Sequence, residues 1–129
     1  MKRFGLAFVL IALLTLGAAC ATTSPLATPA KDLAKLPGVW EEEWPGMPTK
    51  DRYRITVTGE NVAVTAVTNP EKQQIRNVAF QYKRLSFFVD LDGSAIYYDL
   101  VLISDGVLSG KVTGGKRNFD ETVRWYKVE

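Results

Sequence analysis

From Val39 onward the chain repeats one pattern: a short segment in which apolar and polar side chains alternate, then a turn built from Gly, Pro, Asn or Asp. Alternation with period two places successive side chains on opposite faces of a strand, which suits a sheet with one buried face and does not suit a helix. Arg52 to Thr58 shows it cleanly, with Tyr53, Ile55 and Val57 set against Arg52, Arg54, Thr56 and Thr58; Leu85, Phe87, Val89 and Leu91 repeat it. Turn signals recur at Pro45-Gly46, Thr58-Gly59-Glu60-Asn61, Asn69-Pro70, Asp92-Gly93, Asp105-Gly106 and Gly114-Gly115. The Asp-Gly pairs are strong hairpin signals, and the overall ~8–12-residue spacing is that of a sandwich or barrel.

Eight strands follow: Val39–Trp44, Arg52–Thr58, Val62–Thr68, Gln73–Tyr82, Leu85–Leu91, Ala95–Ile103, Val107–Thr113 and Asp120–Val128. In the fourth, Ile75 and Val78 share a face only if a bulge intervenes. Short consecutive connections favour an up-and-down meander, and closing it into an all-β, eight-stranded antiparallel barrel removes unpaired edges. A barrel of eight strands is either filled by side chains or just wide enough for one small ligand. Before it, Ala30 to Leu36 carries Leu33 and Leu36 at helical spacing and stops at Pro37-Gly38, a turn or two of helix.

The first thirty residues read differently. Met1-Lys2-Arg3 is basic, and Phe4 to Leu16 is a mostly apolar run. A membrane span needs roughly 20 apolar residues, so this shorter run reads as a signal-peptide core. Ala18-Ala19 leads to Cys20, the only cysteine. Two readings stand. Small residues directly before Cys20 resemble the bacterial lipobox, which implies an acylated Cys20; Gly17 stands where that motif usually has Leu. An ordinary signal peptidase cutting within Ala19-Cys20-Ala21 would instead release the protein. The charge-free segment Ala21 to Ala30, with Pro25 and Pro29, is a semi-extended linker reaching at most about 33–36 Å, which suits an anchor. The organisation is thus a signal peptide (1–19), a lipidated Cys and linker (20–30), and one β-barrel domain (31–129). By resemblance to bacterial lipoproteins, the anchor is multiply acylated, and Ala21 after the Cys, where Asp would mark inner-membrane retention, implies the outer membrane facing the periplasm.

Leu36-Pro37-Gly38-Val39-Trp40 resembles the Gly-x-Trp lead-in of lipocalin-like (calycin) barrels, preceded by the same short helix. Arg124-Trp125-Tyr126 falls where lipocalins carry an Arg packing near that Trp. The resemblance implies a barrel that takes a small apolar or amphipathic ligand. Of the 16 basic residues two lie in the leader, leaving 14 against 14 acidic ones, without the excess that nucleic acid demands. There is no His, hence neither the commonest general base nor the commonest metal ligand. Gly110 to Lys116 matches a phosphate-loop spacing, but Arg117 follows where Ser or Thr is needed, and a strand follows where a helix should. Asp90 to Ser94 lacks the further acidic ligands of a calcium loop. The chain reads as a non-catalytic binding protein without cofactor or metal.

Glu41-Glu42-Glu43 lies between Trp40 and Trp44. Glu42 shares the inward face with both tryptophans. It is either placed near the barrel mouth or is a polar hook among aromatic walls, and the cost of an unpaired buried carboxylate favours the mouth. Trp40, Glu42, Trp44, Tyr53, Phe87 and Tyr98 are the expected inward walls of a ligand site. The alternative is an inhibitor or interaction module acting through Pro45 to Lys50 on an envelope protein such as a cell-wall hydrolase, a protease or an assembly machine.

Overall fold

The computed structural model describes residues 29–48 and 50–129. The expected signal peptide, Cys20 and most of the linker lie outside the described residues. Within them, one short helix α1 (Ala30–Leu33) precedes eight strands: β1 (Gly38–Glu43), β2 (Arg52–Thr58), β3 (Asn61–Ala66), β4 (Gln74–Gln81), β5 (Arg84–Leu91), β6 (Ser94–Ser104), β7 (Val107–Gly114) and β8 (Phe119–Lys127). All pair antiparallel in the order β3-β2-β1-β8-β7-β6-β5-β4, a nearly closed up-and-down barrel. Each expected strand is present, with ends differing by a residue or two.

Local chemistry explains the register. At Asp92-Gly93 both residues adopt left-handed angles (φ 53° and 77°), as a tight two-residue hairpin requires. The fourth strand contains the bulge its apolar spacing demands: pairing with β5 slips between Arg76 and Ala79, and Asn77 there has φ 57°. The phosphate-loop spacing lies in β7 and its turn, with β8 following. Gly110 in β7 is a matter of space, since a Cβ there would collide with the Asp99 carbonyl oxygen of β6.

Closure departs from expectation at one place. The ladder β1–β8 shuts the barrel between the first and last strands, with Trp40 opposite Lys127 and Glu43 opposite Arg124, whereas β3 and β4 share no ladder. Two-residue turns deliver neighbouring strands already in register; the connection from Val67 to Gln73 is longer, contains left-handed Asn69 and a 3-10 turn (Pro70–Lys72), and does not. The seam is tied near this connection by side chains: the Tyr53 hydroxyl donates to Gln73 Oε1 (2.8 Å), and Gln73 Nε2 donates to the Thr68 carbonyl (2.9 Å).

The two ends of the barrel differ. At one end, Asp32 of α1 is tied to the β4–β5 turn by Lys83 (3.1 Å), and Lys35, just after α1, to the β6–β7 turn by Asp105 (3.0 Å). Leu36 is fully buried there and its carbonyl accepts the Trp40 indole N–H (2.8 Å). This end is plugged by apolar packing that includes Leu36, Trp40, Leu85 and Leu100. The cation against Trp40 is Lys127, with Nζ 5.5 Å from the ring centroid; Arg124 lies opposite Glu43 and is exposed. The resemblance to lipocalins implies Arg124 in that place. Trp125 takes the inward face, so period two turns Arg124 outward and brings Lys127, not Arg124, opposite Trp40.

Candidate ligand-binding cavity

At the other end the interior is open. A cavity of about 360 Å³ is walled by Trp44, Val89, Leu91, Ile96 and Phe119, with Glu42, Tyr53 and Tyr98 as its inner polar groups. The connections β1–β2, β3–β4 and β7–β8 form its rim, contributing Asp51, Lys72 and Arg117 among others. At about 30 Å³ per water, the space equals roughly twelve waters. Four rings pack behind it: Tyr53 stacks on Trp125 (4.5 Å between centroids, 6° between planes) and Phe87 on Tyr98 (4.8 Å, 11°), with Phe87 and Trp125 5.7 Å apart. At the wall, Trp44 and Phe119 meet edge to face at 5.4 Å.

Glu42 sits among them, 1% exposed. Its backbone N–H donates to the Asp51 carbonyl (2.7 Å), fixing β1 against the residue that leads into β2. Each carboxylate oxygen accepts one indole N–H: Oε1 from Trp44 (2.5 Å) and Oε2 from Trp125 (2.9 Å). The Tyr98 hydroxyl is a third hydrogen-bonding neighbour. Indole nitrogens only donate, so this arrangement fits the ionised carboxylate. Burial nevertheless raises the Glu42 pKa above its ordinary 4.5, the donors from Trp125, Tyr98 and Trp44 pulling back and the Asp51 charge adding to the rise. Burial also raises Asp51. Tyr53 and Tyr98 are pushed well above 10, chiefly by burial, so both remain phenols at physiological pH.

Of the six residues expected as inward walls, four line the cavity: Glu42, Trp44, Tyr53 and Tyr98. Trp40 and Phe87 do point inward and are fully buried, but Trp40 belongs to the plugged end and Phe87 to the ring cluster. The choice posed for Glu42 resolves differently from the cost argument: it is deeply buried, and it is not unpaired. Trp125, Asp51, Gln73 and Phe119 are not among the six expected site residues. Trp125 faces Glu42 because β8 pairs with β1 in the register Glu42–Trp125, a long-range fact that alternation within either strand does not contain. Asp51 and Gln73 stand just before β2 and β4, outside any periodic pattern.

Glu41 and Glu43 point away from the cavity and meet Arg52 and Lys50. Among the described residues no group of three His, Cys, Asp or Glu could hold a metal ion, and no helix is long and apolar enough to cross a membrane. Comparison with protein-family models, curated proteins and solved structures gives no match.

Proposed function

We propose that this chain is a lipid-anchored envelope protein whose barrel binds, without catalysis, a small apolar or amphipathic molecule in the open cavity. The observation that supports the reading is the cavity itself. Its volume of about 360 Å³ falls within the ~300–1,000 Å³ range usual for small-molecule sites, and it combines apolar walls with a few convergent polar groups. The proposed anchor, Cys20, precedes the plugged end, because the described chain enters the barrel through α1.

The test is native mass spectrometry of the acyl-free protein prepared from its own host, followed by titration with a fluorescent apolar probe. A co-purified small molecule, or a probe displaced by host lipid extract, supports the reading. A barrel that is empty and binds no probe overturns it, and a stoichiometric protein partner in its place favours the interaction-module alternative. Anchoring is tested separately with Cys20→Ala, which should move the protein from the membrane fraction to the soluble one.

A further inference from the structure

The cavity's polar groups are unequal in what they have left to offer. The Trp44 and Trp125 indole N–H groups are committed to Glu42, and the Tyr53 hydroxyl is committed to Gln73. The Tyr98 hydroxyl is engaged with Glu42. Acceptors, by contrast, are in surplus. Glu42 takes three donors, the two indoles and the Tyr98 hydroxyl, against about four lone-pair sites, and so keeps an acceptor position open. The Asp51 carboxylate, half-buried at the cavity wall, makes no hydrogen bond or ion pair among the described residues. The unpaired cations, Lys72 and Arg117, stand on the rim and are exposed.

We propose that the ligand is an organic cation: a protonated amine seated with its N–H groups toward Glu42 and Asp51, its apolar body lying against Trp44, Leu91, Ile96 and Phe119. This rests on the cavity being a ligand site, as proposed above, and specifies the chemistry of the head group. An ammonium supplies the donors the inner cavity lacks and places a charge beside two carboxylates that otherwise repel each other. Burial is the leading cause that raises the pKa values of both Glu42 and Asp51. The surrounding aromatic rings attract a cation further. A carboxylate or phosphate head at the same depth would meet two like charges, and at the rim it would meet only Lys72 and Arg117, whose solvated side chains hold an anion weakly.

The experiment uses the mature chain carrying Cys20→Ser, so that no acyl group competes for the cavity, and three probes of equal length: n-octylammonium, n-octanoate and n-octanol. Binding is followed at pH 7 by calorimetry and by tryptophan fluorescence. Octylammonium should bind about tenfold or more tightly than either other probe, as expected of hydrogen bonds to charged partners. Asp51→Asn should remove most of that preference for octylammonium over the other two probes. Its side chain holds nothing in place, so a folding defect is not expected, and the far-ultraviolet spectrum confirms this. Octanoate or octanol binding as tightly as octylammonium overturns the amine assignment while leaving the cavity a ligand site, and so does a preference that survives both Asp51→Asn and Glu42→Gln. Failure of all three probes to bind overturns the amine assignment together with the small-molecule reading beneath it.

Discussion

Replacing Trp125 with Phe tests whether the indole–carboxylate bond, and not ring packing alone, holds the centre of the barrel. Trp125 is fully buried, stacks on Tyr53 at 4.5 Å and donates to Glu42 Oε2 at 2.9 Å. Phenylalanine keeps most of the stacking and deletes the donor. A hydrogen bond to a charged group contributes about 1.5–3 kcal/mol, and the smaller ring leaves a void costing about 1 kcal/mol more. The expected loss is therefore roughly 2.5–4 kcal/mol, a large share of the ~5–15 kcal/mol that stabilises a typical domain. The same change in a Glu42→Gln background should cost less. The amide has one carbonyl oxygen for two indoles, so one indole bond is already missing and the other is neutral. Urea unfolding of the four proteins gives the coupling directly, expected at about 1–2 kcal/mol. Additivity within about 0.5 kcal/mol would show that Trp125 acts only as a packed ring and would refute the account of Glu42 given above.

The pH dependence carries a definite sign. The folded-state pKa of Glu42 is raised above 4.5, so the folded protein holds this proton more tightly than the unfolded chain. Relative to Glu42→Gln, the protein should lose stability as pH rises from about 4.5 through the raised value and become flat above it, which urea midpoints between pH 4 and 8 will show. Gly110→Ala forces a Cβ against the Asp99 carbonyl oxygen and should cost about 1–3 kcal/mol or more by thermal unfolding, with loss of the β6–β7 amide protection in hydrogen exchange. Leu36→Ala removes the fully buried side chain of the plug and should cost about 2–5 kcal/mol, leaving the cavity at the far end able to bind. Arg84→Ala breaks an exposed pair with Asp99 and should leave the unfolding midpoint unchanged.

Strand number, strand bounds and the bulge at Asn77 were legible because each is a local statement. A period of two and a turn residue act within a dozen positions, and the slip between Ile75 and Val78 is visible on the page. The inward face of β1 was legible for the same reason, which is why Glu42 and Trp44 were found. What could not be read were facts about partners distant in sequence. The cost of an unpaired buried carboxylate points Glu42 to the mouth because nothing near it in the chain announces that Trp125 stands opposite. The lipocalin resemblance implies Arg124 beside Trp40, where the register places Lys127. The position of the seam was hidden as well: the link from Val67 to Gln73 looks like another turn until its width is known. Within the cavity, the rim residues Asp51, Lys72 and Arg117 come from three connections, and their convergence is a product of closure.

The meeting of β1 and β8 has a consequence for how the chain is cut and joined. The first and last strands are neighbours near the middle of the sheet, while the sheet's free edges belong to β3 and β4, which follow one another in sequence. Removing β8 would therefore not fray an edge; it would divide the sheet into a three-stranded piece and a four-stranded piece. The pairing of Trp40 with Lys127 closes a loop that contains all six other strands, so the two hairpin series can form early and the barrel exists only once they dock. A circular permutant that joins Glu129 to the residues before Gly38 and opens between Asn69 and Pro70 would break no strand ladder. Its strand order would run straight through the sheet, from one edge to the other, in the order of its own sequence.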